Sequence, residues 1–164
     1  MKLKKVINKK VRNATTISYY GITFKSKLEL YCFKKLKELE IEFKYEEYTF
    51  ELIPSFEFRN DSYELYKKGG ARYFGPQRPH VRGMTYTPDF VGAGWIIETK
   101  GNPNDAFPIK WKLFKKYLMD NKLNINLYMP RNQKQVDEVI NIVKTILDSN
   151  KIKREGILQN KKGK

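Results

Sequence analysis

"TYTPDFVGAGWIIETKG", residues 85–101, decides how this chain folds. Two short runs flank the glycines 92 and 94, which reads as a pair of antiparallel strands joined by a tight turn. Strand faces alternate with period two, so Glu98 and Lys100 share one face while Trp95, Ile97 and Thr99 take the other. Turn length then fixes the place of Asp89. A two-residue turn, Ala93-Gly94, sets Asp89 opposite Glu98; a three-residue turn, Gly92–Gly94, sets it opposite Ile97 on the wrong face. Pro88 has no N–H for a ladder and marks an edge or a bulge, and a bulge makes the same one-residue correction. The sequence therefore predicts an even-length turn or a bulge at Pro88, with Asp89 and Glu98 brought together.

Two carboxylates in contact repel, and both stay ionised only with a cation between them. Hard oxygen ligands suit Mg²⁺, for which Mn²⁺ can substitute, with waters and a substrate phosphate completing the octahedron. The backbone carbonyl of Thr99 is a candidate further ligand. Such an ion polarises a phosphoryl oxygen and lowers the pKa of bound water. Lys100 would orient that water or stabilise charge gathering on the phosphate. On the residues alone the competing reading is a half-buried hairpin whose charges simply face water.

Outward from this stretch, composition narrows the chemistry. The 164 residues suffice for one domain with a real core. Thirty-three Lys and Arg against 18 Asp and Glu leave a net charge of +15, which favours polyanionic partners, nucleic acid or an acidic membrane surface. No apolar run approaches a membrane span and no signal-peptide pattern opens the chain. Cys32 is the single cysteine, so a disulfide within the chain and a cysteine zinc site are excluded, and a reducing intracellular compartment fits. His80 is the single histidine, which removes Ser-His and Cys-His catalysis. Carboxylates and lysines must carry any reaction.

Residues 1–17 form a basic arm. "SYYGITF" suggests a short strand, 26–40 has helical spacing, and 41–52 is aromatic-rich and strand-like. Residues 55–83 form an irregular insert expected to hold a hairpin or large loop. A second helix is expected over 105–121, capped by Asp105 with Pro108 in its first turn, then a strand over 124–130 and a helix over 133–150. Residues 151–164 read as a frayed basic tail. This order suggests an α/β domain over 18–150, a mixed sheet flanked by helices.

Glu29 falls inside the apolar arc of the first helix, with Leu28, Cys32, Phe33, Leu36 and Leu39, and so faces the sheet. A buried carboxylate needs a partner or a metal. The competing reading is a capping box, Ser26-x-x-Glu29, in which Glu29 closes back on the Ser26 amide; both can hold at once.

"PD", eight residues and "ETK" together resemble the PD-(D/E)XK nuclease motif, with Asp89, Glu98 and Lys100 in its named positions. Glu29 in "FKSKLE" resembles the glutamate that this superfamily often carries on its first helix. "FKSKLE", "FKYEEYTF", "YTPDF" and "ETKG" are also similar to the phage junction-resolving endonuclease I family, and "FELIPSF", "RGMTYTPDF", "IIETKG" and "KWKLF" to a group of small phage-encoded nucleases. The resemblance spans residues 19–130. It implies a restriction-endonuclease-like αβββαβ core, metal-dependent DNA cleavage, and often a homodimer. By resemblance Asp89 and Glu98 would hold metal, Glu29 would bind or position a second ion, and Lys100 would act on the nucleophile. It also implies the cytoplasm, that of a host cell if the chain is phage-encoded. The insert 55–83 departs from the junction-cleaving enzymes, whose connection before "YTPDF" is short.

Within residues 67–82 of that insert, Lys67, Lys68, Arg72, Arg78 and Arg82 stand with no acid and are interleaved with Tyr73 and Phe74. Lysine and arginine neutralise phosphates, and planar rings stack on bases, so the segment is expected to contact DNA. The bland alternative is a solvated loop. Lys110 lies among apolar residues of the second helix, where a snorkelling stem is the commoner explanation. The expected function is a metal-dependent endodeoxyribonuclease selective for branched or Holliday-junction DNA in phage-type recombination, replication or packaging. The alternatives are a basic nucleic-acid-binding protein without catalysis, a sequence-specific restriction-type nuclease, and an RNA-cleaving enzyme.

Overall fold

The structure, a computed structural model, describes residues 16–66, 70–75, 80–101 and 103–162. The chain opens with a hairpin, β1 (Ile17–Tyr19) and β2 (Ile22–Phe24), where a single strand is expected from "SYYGITF". Tyr20 and Gly21 sit at φ 48° and 78°, both left-handed, as a two-residue type I′ turn requires. Helix α1 (Lys27–Glu38) follows, capped by Ser26, whose Oγ accepts from the Glu29 N–H at 3.1 Å. Its buried face is Glu29, Cys32, Phe33 and Leu36.

The run 41–52 is not one strand. Glu46 at φ 47° breaks it into β3 (Lys44–Tyr45) and β4 (Phe50–Ile53), which join different sheets. The insert then folds into β5 (Phe56–Glu57), β6 (Ser62–Tyr66), β7 (Gly70–Phe74) and β8 (His80–Val81), and the chain returns through β9 (Met84–Tyr86). The pairings are nested: β4 with β9, β5 with β8, β6 with β7, all antiparallel. The described strands between Phe50 and Tyr86 thus form a two-stranded ribbon of three nested pairs, the hairpin expected within 55–83 extended at both ends.

β10 (Phe90–Gly92) and β11 (Trp95–Ile97) pair antiparallel, with Phe90 opposite Ile97 and Gly92 opposite Trp95. The turn is therefore the two residues Ala93-Gly94, and Gly94 supplies the positive φ of 82° at its second position. α2 (Phe107–Asp120) leads to β12 (Asn126–Tyr128), which lies parallel to β11. The central sheet is ordered β12-β11-β10-β3, so its elements run α, β, β, β, α, β along the chain before α3 (Gln133–Lys162). At the start of α2 the N-cap residue, Ala106, has no side-chain capping bond; the Phe107 N–H donates to Asn104 Oδ1 at 3.0 Å rather than to Asp105. Residues 151–162 continue α3 instead of fraying: Lys, Arg, Glu, Ile, Leu and Gln there are good or tolerable helix formers, no proline interrupts them, and the least favourable residue, Gly156, costs only about 1 kcal/mol.

Alternation along β10 and β11 feeds two cores. Phe90, Trp95 and Ile97 pack with Cys32, Phe33 and Leu36 of α1 and Val136, Ile140 and Val143 of α3. Ile96 packs on the other face with Phe107, Trp111, Phe114 and Leu118 of α2. Each large apolar side chain so buried contributes ~1.5–3 kcal/mol. The outcome is a mixed α/β fold, with the sheet clamped between α1 and α3 on one side and α2 on the other. Among the described residues, no helix is long and apolar enough to cross a membrane.

Candidate active site

The acids gather where the sheet ends. Beyond β11 the backbone stays tied to the chain after β12: the Glu98 N–H donates to the Tyr128 carbonyl at 2.9 Å and the Lys100 N–H to that of Pro130 at 3.0 Å. On the other side of the hairpin, the Glu46 N–H donates to the Asp89 carbonyl at 3.0 Å. Continuing the register of Phe90 and Ile97 sets Asp89 across from Glu98, as the two-residue turn predicts.

Each acid is buried and held by named donors. Glu98 Oε1 accepts from Lys100 Nζ at 2.9 Å and its Oε2 from the Tyr86 hydroxyl at 2.7 Å. Asp89 Oδ2 accepts from both the N–H and the hydroxyl of Thr99, each at 2.7 Å. Glu29 Oε2 accepts from the Lys25 N–H at 2.8 Å and from the Tyr45 hydroxyl at 3.0 Å. The capping box is thus displaced by one residue, since Glu29 reaches the amide of Lys25 rather than that of Ser26. Glu29, Asp89, Glu98 and Thr99 are all at most 7% exposed, whereas Lys100 keeps 30% of its side chain in solvent. The site straddles the sheet end. Glu98, Tyr86 and Lys100 lie toward α2, where Lys100 Nζ rests 4.5 Å from the Phe107 ring centroid. Glu29 and Tyr45 lie toward α1, with Asp89 between the two groups.

The electrostatics follow from this crowding. Burial pushes the Asp89 carboxyl well above the ordinary range; the charges of Glu98 and Glu29 add to the rise, and the two Thr99 hydrogen bonds oppose it. Burial, then the charge of Glu98, drives the Tyr86 phenol upward, so it stays a donor. Tyr45 is raised in the same way, by burial and then by Glu29. At the rim, Lys25 pairs with Glu46. Burial pulls the Lys25 ammonium down, but that pair and the charges of Glu29 and Asp89 outweigh it, and its pKa is raised.

Asp89 Oδ1 and Glu29 Oε1 accept no hydrogen bond among the described residues, so each acid on the Asp89 side of the site keeps one oxygen for a ligand. Among the described residues, however, no group of three or more His, Cys, Asp and Glu is gathered tightly enough to cage a metal ion. The donor set fits a hard cation held by one or two carboxylates with waters and phosphate in its other positions, which is how Mg²⁺ is usually bound. Thr99, expected to lend its backbone carbonyl, is seen orienting Asp89 through its N–H and hydroxyl.

Of the insert residues, Arg72 and Tyr73 lie in β7, paired with β6 rather than with the strands that carry the acids. Arg72 stands opposite Glu64 and Tyr73 opposite Tyr63, with Tyr63 and Tyr73 68% and 61% exposed. Arg82 is exposed just beyond β8. Lys67, Lys68 and Arg78, with residues 1–15 of the arm, lie outside the described residues. The root of the ribbon does enter the site, because Tyr86 closes β9 and donates to Glu98. Lys110, on α2, spends its ammonium on the Thr85 carbonyl at 3.2 Å. Tyr86, Tyr45, Lys25 and Glu46 escape a reading of the sequence. Each tyrosine looks like one more aromatic of a strand, and its acid lies 12 or 16 residues away.

No curated protein and no solved structure matches the chain. A family described as "Protein of unknown function (DUF1064)" matches residues 9–134, a span that holds α1, the ribbon, every acid of the site and Lys100. That is well over half of the 164 residues, and the chain belongs to the DUF1064 family.

Proposed function

We propose that this protein is a Mg²⁺-dependent endodeoxyribonuclease of the PD-(D/E)XK type, acting on branched DNA. The observation that carries the reading is the apposition of Asp89 and Glu98 across the Ala93-Gly94 turn, with Lys100 Nζ 2.9 Å from Glu98 Oε1. Burying acids side by side is costly unless their charge is used, and here the charges of Glu98 and Glu29 add to the burial that raises the pKa of Asp89. A bound divalent ion would polarise the scissile phosphoryl group and lower the pKa of the attacking water.

The residues divide the remaining work. Asp89 Oδ1 and Glu98 are the expected metal oxygens, with Thr99 fixing the rotamer of Asp89. Tyr86 holds Glu98 in place, and Tyr45 does the same for Glu29, the candidate for a second ion. The half-exposed ammonium of Lys100 orients the water and stabilises charge on the phosphate as the new P–O bond forms and the bond to the leaving oxygen breaks. Glu46 and Lys25 frame the rim. Affinity for the polyanion comes from the +15 charge. The ribbon, slim enough for a major groove, carries Arg72, Tyr73 and Arg82 away from the site along the duplex.

The test is to incubate the protein with supercoiled plasmid and with a synthetic four-way junction in Mg²⁺, Mn²⁺ or EDTA. Metal-dependent cutting that is lost in Asp89→Asn and Lys100→Ala is expected, with the junction preferred over linear duplex. A non-catalytic nucleic-acid-binding protein is the second reading, favoured by the absence of a tight three-acid group among the described residues. It predicts binding indifferent to metal and no cutting of DNA or RNA. Sedimentation with and without junction checks the homodimer.

A further inference from the structure

Beside α1 and the β1–β2 hairpin, an open cavity of about 540 Å³ is lined by Tyr19, Tyr20, Phe33, Lys34, Lys37 and Glu38. That volume is within the usual range for a small-ligand site. Its walls are planar. The Tyr19 and Tyr20 ring centroids lie 4.5 Å apart at 87°, and the Phe33 ring stands 6.5 Å from that of Tyr19. Two ammonium groups border it: Lys34 Nζ is 4.5 Å from the Tyr19 centroid, and Lys37 Nζ is 5.3 Å from that of Phe43. Neither lysine has an ion-pair partner among the described residues, because Glu38 is taken by Lys35 at 3.0 Å.

Tyr20 is a second, independent sign. It is 85% exposed and sits at φ 48° in the first position of the I′ turn, where asparagine, aspartate or glycine costs less. Apart from its edge-to-face contact with Tyr19, this large ring on a left-handed backbone stands open to solvent. We infer that this cavity is a subsite for one unpaired nucleotide of a DNA strand, its base stacked on Tyr20 and its phosphate between Lys34 and Lys37. Rings with flanking cations are how single strands are gripped irrespective of sequence. Lys37 lies two helical turns beyond Glu29, ~12 Å along α1. The subsite would thus select DNA that opens near the cut. It rests on the nuclease reading for its ligand class, but binding alone can test it.

The experiment uses the full chain in EDTA, with a short oligothymidylate and a blunt duplex as probes and affinity read by fluorescence anisotropy. Tyr20→Asn suits the turn backbone better than tyrosine, so it keeps the fold; circular dichroism verifies this. It and the double variant Lys34→Gln/Lys37→Gln are each expected to weaken the oligothymidylate about tenfold, the loss of one stacked or neutralised nucleotide, while duplex affinity stays within about twofold. Photo-crosslinking of an iodouracil-substituted strand should map to the peptide containing Tyr20. Unchanged single-strand affinity in both variants, equal losses on single strand and duplex, or crosslinks confined to other peptides would overturn the subsite. If the wild-type protein cuts nothing yet shows the expected binding pattern, the subsite stands and the nuclease reading falls.

Discussion

The Tyr86 hydroxyl donates to Glu98 Oε2 at 2.7 Å inside the sheet end, tying the root of the ribbon to a central acid of the site. Removing the hydroxyl leaves Glu98 with Lys100 alone. Tyr86→Phe keeps the ring contacts with Trp111 and Phe114. It should lower stability by ~1.5–3 kcal/mol, the value of a hydrogen bond to a charged group. If the site cuts DNA, the rate should fall by at least about tenfold with substrate affinity unchanged. Urea melts and single-turnover kinetics check the two effects separately.

Asp89 makes folding pH-dependent, and the sign is fixed by its raised pKa. Between the ordinary carboxyl value of 3.8 and the higher value in the fold, the unfolded chain has released the proton while the folded chain keeps it. Stability attributable to this group is therefore fully present below that window and is lost as pH rises through it. Asp89→Asn, which can still accept from Thr99, lacks this loss. In EDTA its melting temperature should equal or exceed that of the wild type at neutral pH, with the difference shrinking toward pH 4. Adding Mg²⁺ should raise the melting temperature of the wild type only. A variant less stable than wild type across the whole range would show that Asp89 is a structural acid.

Gly92 lies beneath the indole of Trp95. A Cβ at position 92 would come within 2.2 Å of Trp95 Cε2 and Cζ2, well inside contact distance. Gly92→Ala must displace a ring that is 1% exposed at the centre of the larger core. Overpacking of this kind costs about 1–3 kcal/mol or more, visible as a lowered thermal midpoint and altered tryptophan fluorescence. Ala93→Gly, one residue on in the turn, should shift the midpoint far less.

Cys32 is fully buried between α1 and the sheet, and burial, with a smaller contribution from the Asp89 charge, pushes its thiol pKa up. It should resist a thiol-specific disulfide reagent in the native protein at pH 8 and react stoichiometrically in denaturant. Rapid native labelling would mean that α1 opens from the sheet.

The arm and the ribbon should make DNA binding steeply salt-dependent. Log affinity is expected to fall linearly with log salt, and Arg72→Gln with Arg82→Gln should reduce the slope by about two if both contact phosphates. An unchanged slope would remove the ribbon from the interface.

Much of the site can be read from residues 85–101 alone. Period-two alternation fixed which residues share a face, and the pairing of Asp89 with Glu98 was expected on an even-length turn or a bulge at Pro88; the structure decided for the two-residue turn. Helical spacing likewise placed Glu29 and Cys32 on the buried face of α1, and the single cysteine and histidine confined the chemistry to acids and lysines. These are local properties of the backbone, and a sequence carries them in its spacing. Only the tertiary structure decided what surrounds each acid. Tyr86 reaches Glu98, Tyr45 reaches Glu29, and the carbonyls of Tyr128 and Pro130 hold the N–H groups of Glu98 and Lys100, all through contacts between distant parts of the chain. The break at Glu46 and the merging of the insert into one ribbon were also hidden. A left-handed residue other than glycine leaves no mark in composition, and strand partners are chosen by long-range pairing that no local pattern encodes.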